Sequence, residues 1–423
     1  MRLILILAAL SGGNILLVFF HQYYILAVLG PGSSTDALFA GMVIPELFLA
    51  VLTGSLSNVL VPILAVEDGE EFSTDAWSFF QGIGLLIGVI SLVLWILAPV
   101  WVPLTVPGFD SSTVNLTISM TRILLISMPF IAFNSVLWSI YHARLKFIFA
   151  ELSPLLSSAG GLAFLLWGLP RFGVAVAAWA MVLRGAIQTV VLAPGLGLYR
   201  RPSWKTQGSR KAWERIYPLL LGTSYYKTDQ LVDRFLASMA PAGQLSLLYF
   251  AQQIYRAVNQ IISKAIAAPM VPLLAKYSSN GNWDLFRKTS HRRLAYVFGL
   301  TIIGYLSLAL FGDPILRILF GHGRFGDKDI VYLQWLLMGL GGVLVGGGLG
   351  QILSTSFYAK SDTRTPTKIG VTGFTLGLGL KVLGFWSLGV WGIALGTTVY
   401  YLFNSVLLKF SLEKHLRKEI EIV

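Results

Sequence analysis

The sequence predicts an all-α integral membrane protein of about twelve transmembrane helices, built as two six-helix parallel repeats. Three observations predict it. Hydrophobic residues make up 55% of the 423-residue chain and charged residues only 12%, with a mean hydropathy of +0.71. A soluble domain carries about 25% charged residues, so bilayer is the solvent for most of this chain. Apolar stretches of about 20 residues, the length of a spanning helix, recur along it, and short strings repeat about half a chain apart.

The spanning candidates are 3–29, 36–65, 78–104, 114–141, 148–168, 173–197, 217–240, 243–275, 293–320, 330–357, 366–387 and 389–411. The first has the Arg2, apolar run and small residues of a signal peptide. The apolar character continues to the C-terminus, so this segment reads as a span. Connections sort by charge. Those after even-numbered spans are 66–77, 142–147, 198–216, 276–292 and 358–365, and four of the five are basic. The third alone holds Arg200, Arg201, Lys205, Arg210, Lys211 and Arg215, and the tail adds Lys414, Arg417 and Lys418. Connections after odd-numbered spans are nearly bare, apart from Arg171, Arg324 and Lys328. The positive-inside rule then places both termini in the cytoplasm. The acidic run Glu67-Asp68-Gly69-Glu70-Glu71 is the exception. The net charge of +12 reads as cytoplasmic loops, not as a nucleic-acid surface.

Val61-Pro62-Ile63-Leu64-Ala65 ends span two, and Val271-Pro272-Leu273-Leu274-Ala275 ends span eight. Ala143-Arg144 and Ala359-Lys360 follow spans four and ten, while Gly173-Val174 and Gly389-Val390 open spans six and twelve. The offsets are 210, 216 and 216 residues. Parallel repeats of this kind are a transporter architecture, with the substrate site between halves. The domains expected are an N-terminal lobe (1–198), a basic linker (199–216), a C-terminal lobe (217–411) and a cytoplasmic tail (412–423).

No cysteine is present, which excludes disulfides and thiol chemistry. The five histidines are scattered, and no phosphate-binding loop or nucleophile elbow occurs. No catalytic residue, metal or cofactor is expected.

Charges inside spans are costly and mark function by default. Span seven carries Lys227, Asp229, Asp233 and Arg234. Asp229 and Asp233 share a helix face. They form either a cation or proton site facing a cavity, or local pairs near the interface with Lys227 and Arg234 snorkelling. On span eight, Arg256, Gln260 and Lys264 form a polar stripe at four-residue spacing, which in lipid faces protein or water. His21 with Gln22 on span one can join it, or be a satisfied structural residue. Lys381 lies within span eleven. Glu46 follows Pro45, which breaks a helix hydrogen bond and can turn the carboxylate inward for proton coupling. Arg122 and Arg184 read as structural. Gly342, Gly346 and Gly350 line one face of span ten for close helix packing. The polar stretch 356–370 is the turn between spans ten and eleven, with Pro366 in a first helical turn and Thr363 or Thr365 as cap.

At Ser356-Phe357-Tyr358-Ala359-Lys360-Ser361-Asp362-Thr363-Arg364-Thr365-Pro366 the chain resembles the lipid II flippase (MurJ, or MviN) family, part of the multidrug/oligosaccharidyl-lipid/polysaccharide exporter superfamily. Four further strings agree in family order. They are Gly30-Pro31-Gly32-Ser33-Ser34-Thr35-Asp36-Ala37, Thr121-Arg122-Ile123, Val232-Asp233-Arg234-Phe235-Leu236-Ala237-Ser238 and Leu319-Phe320-Gly321-His322-Gly323-Arg324-Phe325. The resemblance implies two MATE-like lobes around a central cavity in a bacterial cytoplasmic membrane. It implies alternating access that moves an undecaprenyl-pyrophosphate-linked saccharide, with membrane lipids and cell-envelope synthesis proteins as partners. It implies neither an enzyme nor a nucleic-acid binder. The signature turn Asp362, Arg364, Thr365 and Pro366 would be structural.

The departures are specific. Family members carry cavity arginines on spans one, two and eight; the matching positions here are His21 and Ala27, Leu49 and Ala50, and Gln253. The substrate-cavity candidates are therefore His21, Gln253, Arg256, Gln260 and Lys264. Some members resemble sodium-coupled carriers with an acid at the Asp233 position; Lys381 and Gly377 stand at two of their ligand positions. The expectation is that the Lys381 ammonium pairs with Asp233 and replaces the sodium ion. The coupling candidates are Asp229, Asp233, Lys381 and Glu46. The alternatives are export of another substrate class and a non-transporting paralogue acting as a membrane partner.

Overall fold

The computed structural model describes residues 2–203, 225 and 227–422, and no strand occurs among them. The chain forms two compact units, Met1–Gly243 and Gln244–Val423. The first contains α1 (Arg2–Leu29), α2 (Ser33–Gly41), α3 (Val43–Leu64), α4 (Gly69–Thr105), α5 (Ser111–Leu125), α6 (Ser127–Ala143), α7 (Phe147–Phe172), α8 (Ala175–Leu192) and α9 (Asp229–Ala237). The second contains α10 (Gln244–Ile262), a wide π-turn (Ser263–Ala267), α11 (Ala268–Ser279), α12 (Trp283–Phe320), α13 (Asp327–Gly339), α14 (Gly341–Tyr358), α15 (Arg364–Leu388) and α16 (Val390–Ile422).

Ten helical stretches among the described residues are long and apolar enough to cross a membrane, and α13 with α14, bent by 40°, make an eleventh. These correspond to eleven of the twelve expected spans. Of the seventh, 217–240, residues 217–224 and 226 lie outside the described residues, as does the basic linker from residue 204 onward. The outer faces are apolar: Leu85, Ile96 and Leu104 on α4 and Ile303, Leu310 and Ile318 on α12 are each more than half exposed. Such stripes belong in hydrocarbon, where a helix satisfies its own backbone hydrogen bonds. The molecule is a multi-pass membrane protein.

The internal repeat is carried into three dimensions. In the first unit Val136, Leu137, Tyr141, Leu192 and Leu196 are core residues. In the second, Ile352, Leu353, Phe357, Leu408 and Leu412 are core residues, each 216 positions later. Leu56, Leu60 and Leu64 are matched in the same way by Ile266, Met270 and Leu274, offset by 210. The turns match too. The only two non-glycine residues described with positive φ, Leu145 (57°) and Ser361 (59°), are 216 apart. Each sits in the same hydrogen-bonded turn, Lys146 N–H to Tyr141 O and Asp362 N–H to Phe357 O. Gly173 and Gly389 end α7 and α15 at φ 69° and 64°, a left-handed stop that suits glycine.

Two of the four acids in the run after span two, Asp68 and Glu70, are paired locally. Arg144 donates to Asp68 at 2.9 Å while lying 3.8 Å over the Phe72 ring, and Arg200 pairs with Glu70 at 2.5 Å. The expected threonine cap of α15 is replaced by Asp362, whose Oδ1 accepts from the amides of Arg364 and Thr365 at 3.0 Å each. Thr363 holds the cap position without a side-chain bond. A carboxylate takes two amides at once, which a hydroxyl does less well. Burial tends to raise the Asp362 pKa, but the Thr365 side chain, these amides and His415 together hold it below the usual carboxylate value.

The glycine row on α14 packs against α16. A Cβ at Gly342 would meet the Thr398 carbonyl oxygen at 2.6 Å, and one at Gly346 would meet the Tyr401 carbonyl at 2.8 Å. Close approach admits two further bonds: Gly342 N–H to Thr398 Oγ1 at 3.0 Å, and Ser405 Oγ to the Gly346 carbonyl at 2.7 Å. At Gly350 the nearest atom is Ser405 Oγ at 3.9 Å, ordinary contact. The same substitution should therefore have opposite signs at two positions of one face. Gly346→Ala overpacks a backbone contact and should cost about 1–3 kcal/mol, whereas Gly350→Ala gains helix propensity of up to about 1 kcal/mol. Thermal unfolding in detergent checks this; equal shifts would contradict the packing.

Asp110 supplies a pH test outside the membrane. It caps α5, accepting from the Ser112 and Thr113 hydroxyls and amides, which hold its pKa down at about 2 from the ordinary 3.8. A depressed folded pKa gives a contribution that is complete above the unfolded value and lost as pH falls toward the folded one. The melting-temperature gap between wild type and Asp110→Ala should be constant above about pH 5 and shrink between pH 4 and 2. A gap that widens on acidification would contradict this role.

Candidate functional site

In the first unit the charged residues of span seven meet the middle of span two. Pro45 has no N–H to return to the Gly41 carbonyl, and the helix is interrupted there, between α2 and α3 at Met42. Glu46, one residue on, accepts from Arg234 Nη2 at 2.7 Å, with both side chains largely buried. The kink thus turns Glu46 inward onto α9, and its partner is a guanidinium. One turn further along α3, Lys227 Nζ donates to the Ala50 carbonyl at 2.6 Å. Asp233 is buried on α9 and Asp229 is half-buried at its start. The far end of this segment is held as well, by Gly243 N–H donating to the buried Asp36 carboxylate at 2.6 Å.

His21 lies elsewhere in this unit. It is buried, and its Nε2 bonds the Ser158 carbonyl of α7 at 2.8 Å. Ser158 Oγ donates to Asn14 at 2.7 Å, and Ser11 donates to Glu151 at 2.5 Å. These bonds make a polar seam between α1 and α7, and Arg184 of α8 packs its side chain over Gly161 beside it. Arg122 lies 4.6 Å over the Trp95 ring and donates to the Trp95 carbonyl at 3.3 Å, the structural pairing expected of it.

In the second unit, α10 presents Gln253 and Arg256, half-buried, and Gln260 and Lys264, exposed. Its other face is anchored. Tyr255 donates to the Leu337 carbonyl at 2.7 Å, Asn259 to the Val343 carbonyl at 2.8 Å, and Ile262 and Ile266 enter the core. Lys264 sits on the π-turn, a feature frequent at functional sites. Pro269 is the signal for that turn in the sequence: it cannot donate to the Ala265 carbonyl, and the neighbouring Ala268 N–H reaches back to Ser263.

Lys381 is fully buried in α15, with Nζ 5.3 Å from the Tyr400 ring centre on α16. Gly396 packs against the Lys381 backbone, and a Cβ at Gly377 would meet Tyr400 Cδ1 at 2.5 Å. An ammonium and a glycine are not the oxygen donors a sodium ion needs. Among the described residues no three His, Asp or Glu side chains converge as a metal site requires. The structure thus joins Glu46 to span seven and bonds His21 of α1 to α7. It keeps Gln253, Arg256, Gln260 and Lys264 on one side of α10, and it makes Asp362 a helix cap. What the sequence reading missed is the Arg234–Glu46 pair, the Lys227–Ala50 bond and the π-turn.

Known proteins share the sequence pattern and the fold of this chain. The family model described as lipid II flippase MurJ matches residues 25–423. The lipid II flippase MurJ of Burkholderia cenocepacia is 26% identical over 407 residues, covering 91% of this chain and 78% of that protein. Among solved structures, a lipid II flippase MurJ in an inward closed conformation superposes with a TM-score of 0.87 at 18% identity, over 98% of this chain and 90% of that one. An inward-facing multidrug resistance MATE transporter superposes with a TM-score of 0.81 at 16% identity, over 97% and 96%. The fold is that of these transporters, and the chain belongs to the lipid II flippase MurJ family.

Proposed function

We propose that the chain flips a polyprenyl-diphosphate-linked saccharide, lipid II or a related cell-envelope precursor, across a bacterial cytoplasmic membrane. Both termini lie in the cytoplasm in this reading, and the two halves alternate access. The observation that carries it is the polar side of α10 and the π-turn, where half-buried Gln253 and Arg256 stand with exposed Gln260 and Lys264. Phosphate oxygens take charge-assisted hydrogen bonds from such cations, and the amides can serve sugar hydroxyls. The polyprenyl chain needs only the hydrocarbon around the helices. No bond is broken, so the absence of a catalytic constellation from the sequence is no obstacle. Family membership supplies the substrate class, since relatives carry the name lipid II flippase. His21 enters as a residue that orients α1 on α7. Glu46, Asp229, Asp233 and Lys381 are assigned to coupling, with Lys381 a fixed positive charge in place of an exchangeable cation.

Cells depleted of their own lipid II flippase provide the test, with membrane expression verified. Rescue by the wild type and more than about tenfold weaker rescue by the Arg256→Ala/Lys264→Ala variant is expected, from the loss of two charge-assisted contacts. Full rescue by the double variant would remove the role given to α10. No rescue by the wild type would move the reading to another lipid-linked glycan, another substrate class of the superfamily or a non-transporting partner. The fixed charge has its own test. Wild-type activity and thermal stability should be the same in sodium and in potassium buffers, and Lys381→Ala should acquire a sodium dependence. Sodium-dependent wild-type activity would contradict the assignment.

A further inference from the structure

We propose that Lys227 is the phosphate-contacting cation of the first unit, a substrate-binding role that rests on the lipid-diphosphate reading above. Its ammonium is half-buried and bonded to the Ala50 carbonyl at 2.6 Å. Ala50 belongs to the stretch Ser33–Val51, which is long and apolar enough to cross a membrane, so the charge is carried against a spanning helix. A charge in that setting is costly and is retained where it has work to do.

The neighbouring charges make Lys227 distinctive. Arg234, the other basic side chain on the described part of this segment, is taken up by Glu46 at 2.7 Å, and α3 carries no basic residue. Lys227 has the Ala50 carbonyl instead, a group that accepts a hydrogen bond but carries no countercharge. An ammonium has three donors, and this bond uses one. The remaining positive charge and donors suit an anion with several acceptor oxygens. The approach is open on both elements: Leu49, beside Ala50, is 45% exposed, and Tyr225, two residues before Lys227, is likewise 45% exposed. An apolar and an aromatic surface thus flank a positive charge, which matches a phosphate joined to a hydrocarbon chain. A carbonyl anchor also holds the long lysine side chain in place, so less rotamer freedom is lost when the anion arrives.

The alternative is that the Lys227–Ala50 bond only staples span seven to α3. The two roles separate in substitutions. Lys227→Gln keeps a donor for the carbonyl and removes the charge, whereas Lys227→Arg keeps the charge. The measurement is binding of undecaprenyl diphosphate, and of uncharged undecaprenol as control, to the purified full chain in nanodiscs, alongside thermal unfolding. Lys227→Gln and Lys227→Ala should weaken diphosphate binding by about ten- to a hundredfold, the loss of one charged hydrogen bond. Lys227→Arg should bind within about threefold of wild type, and Lys227→Gln, which keeps a donor for the Ala50 carbonyl, should leave undecaprenol binding and melting temperature unchanged. Unchanged diphosphate binding by Lys227→Gln would overturn the proposal. So would parallel loss of diphosphate and undecaprenol binding, which is the signature of a staple. Failure of the wild type to bind the diphosphate at all would overturn the functional reading first, and this proposal with it.

Discussion

Arg234 and Glu46 stand 2.7 Å apart at a depth where neither charge is tolerated alone, and this requirement organises the first unit. To reach Arg234, Glu46 must face α9, and the interruption that Pro45 imposes between α2 and α3 turns it that way. To reach Glu46, span seven must lie on α3. Lys227 on the Ala50 carbonyl and Gly243 on Asp36 then hold the same segment at two further heights. This explains why the described part of span seven packs within the first compact unit. Removing one partner of a largely buried pair takes away the main countercharge of the other, a strongly destabilising change.

The second unit answers the same requirement differently. Lys381 is enclosed by the α15–α16 contact, its ammonium over the Tyr400 ring. That contact is close because glycines line it. Gly377 faces Tyr400, Gly396 faces the Lys381 backbone, and Gly384 meets Gly392. Lipid supplies no hydrophobic force between helices, so close van der Waals approach and interhelical hydrogen bonds take its place. The α14–α16 contact uses the same device, with Thr398 and Ser405 bonding backbone across the glycine row. Against this tightly packed scaffold, α10 keeps one side anchored through Tyr255 and Asn259, while Arg256 on its other side is half-buried and Gln260 is exposed. A rigid back and a polar front are what a helix needs to present charges to a substrate.

Much of the candidate site could be read from residue types, because charge is rare in this composition and each instance stands out. Arg256, Gln260 and Lys264 were legible as a stripe from their spacing, and Lys381 as a buried cation from its surroundings. Glu46 was legible as an inward carboxylate from the proline before it. Its partner was not, because Arg234 lies 188 residues away and local pattern carries no information about such pairs. Asp362 was legible as part of a turn, but its capping role depends on which oxygen meets which amide. His21 was ambiguous for a similar reason: a histidine in a span can face a cavity or a neighbouring helix, and here its Nε2 meets the Ser158 carbonyl of α7.

The sequence by itself determined the solvent, the helical class, the number of spans to within the described residues, and the repeat. These follow from local quantities: apolar run length against bilayer thickness, and recurrence of short strings. The repeat proved deeper than the strings suggested, since core positions and turn geometry recur at the same offsets of 210 and 216 residues. Only the tertiary structure decided which charges neutralise one another and which keep a net charge. The desolvation cost of a charge is set by where it sits in the chain, but the Coulombic and hydrogen-bond compensation is set by a residue from another helix, and that choice is made in three dimensions.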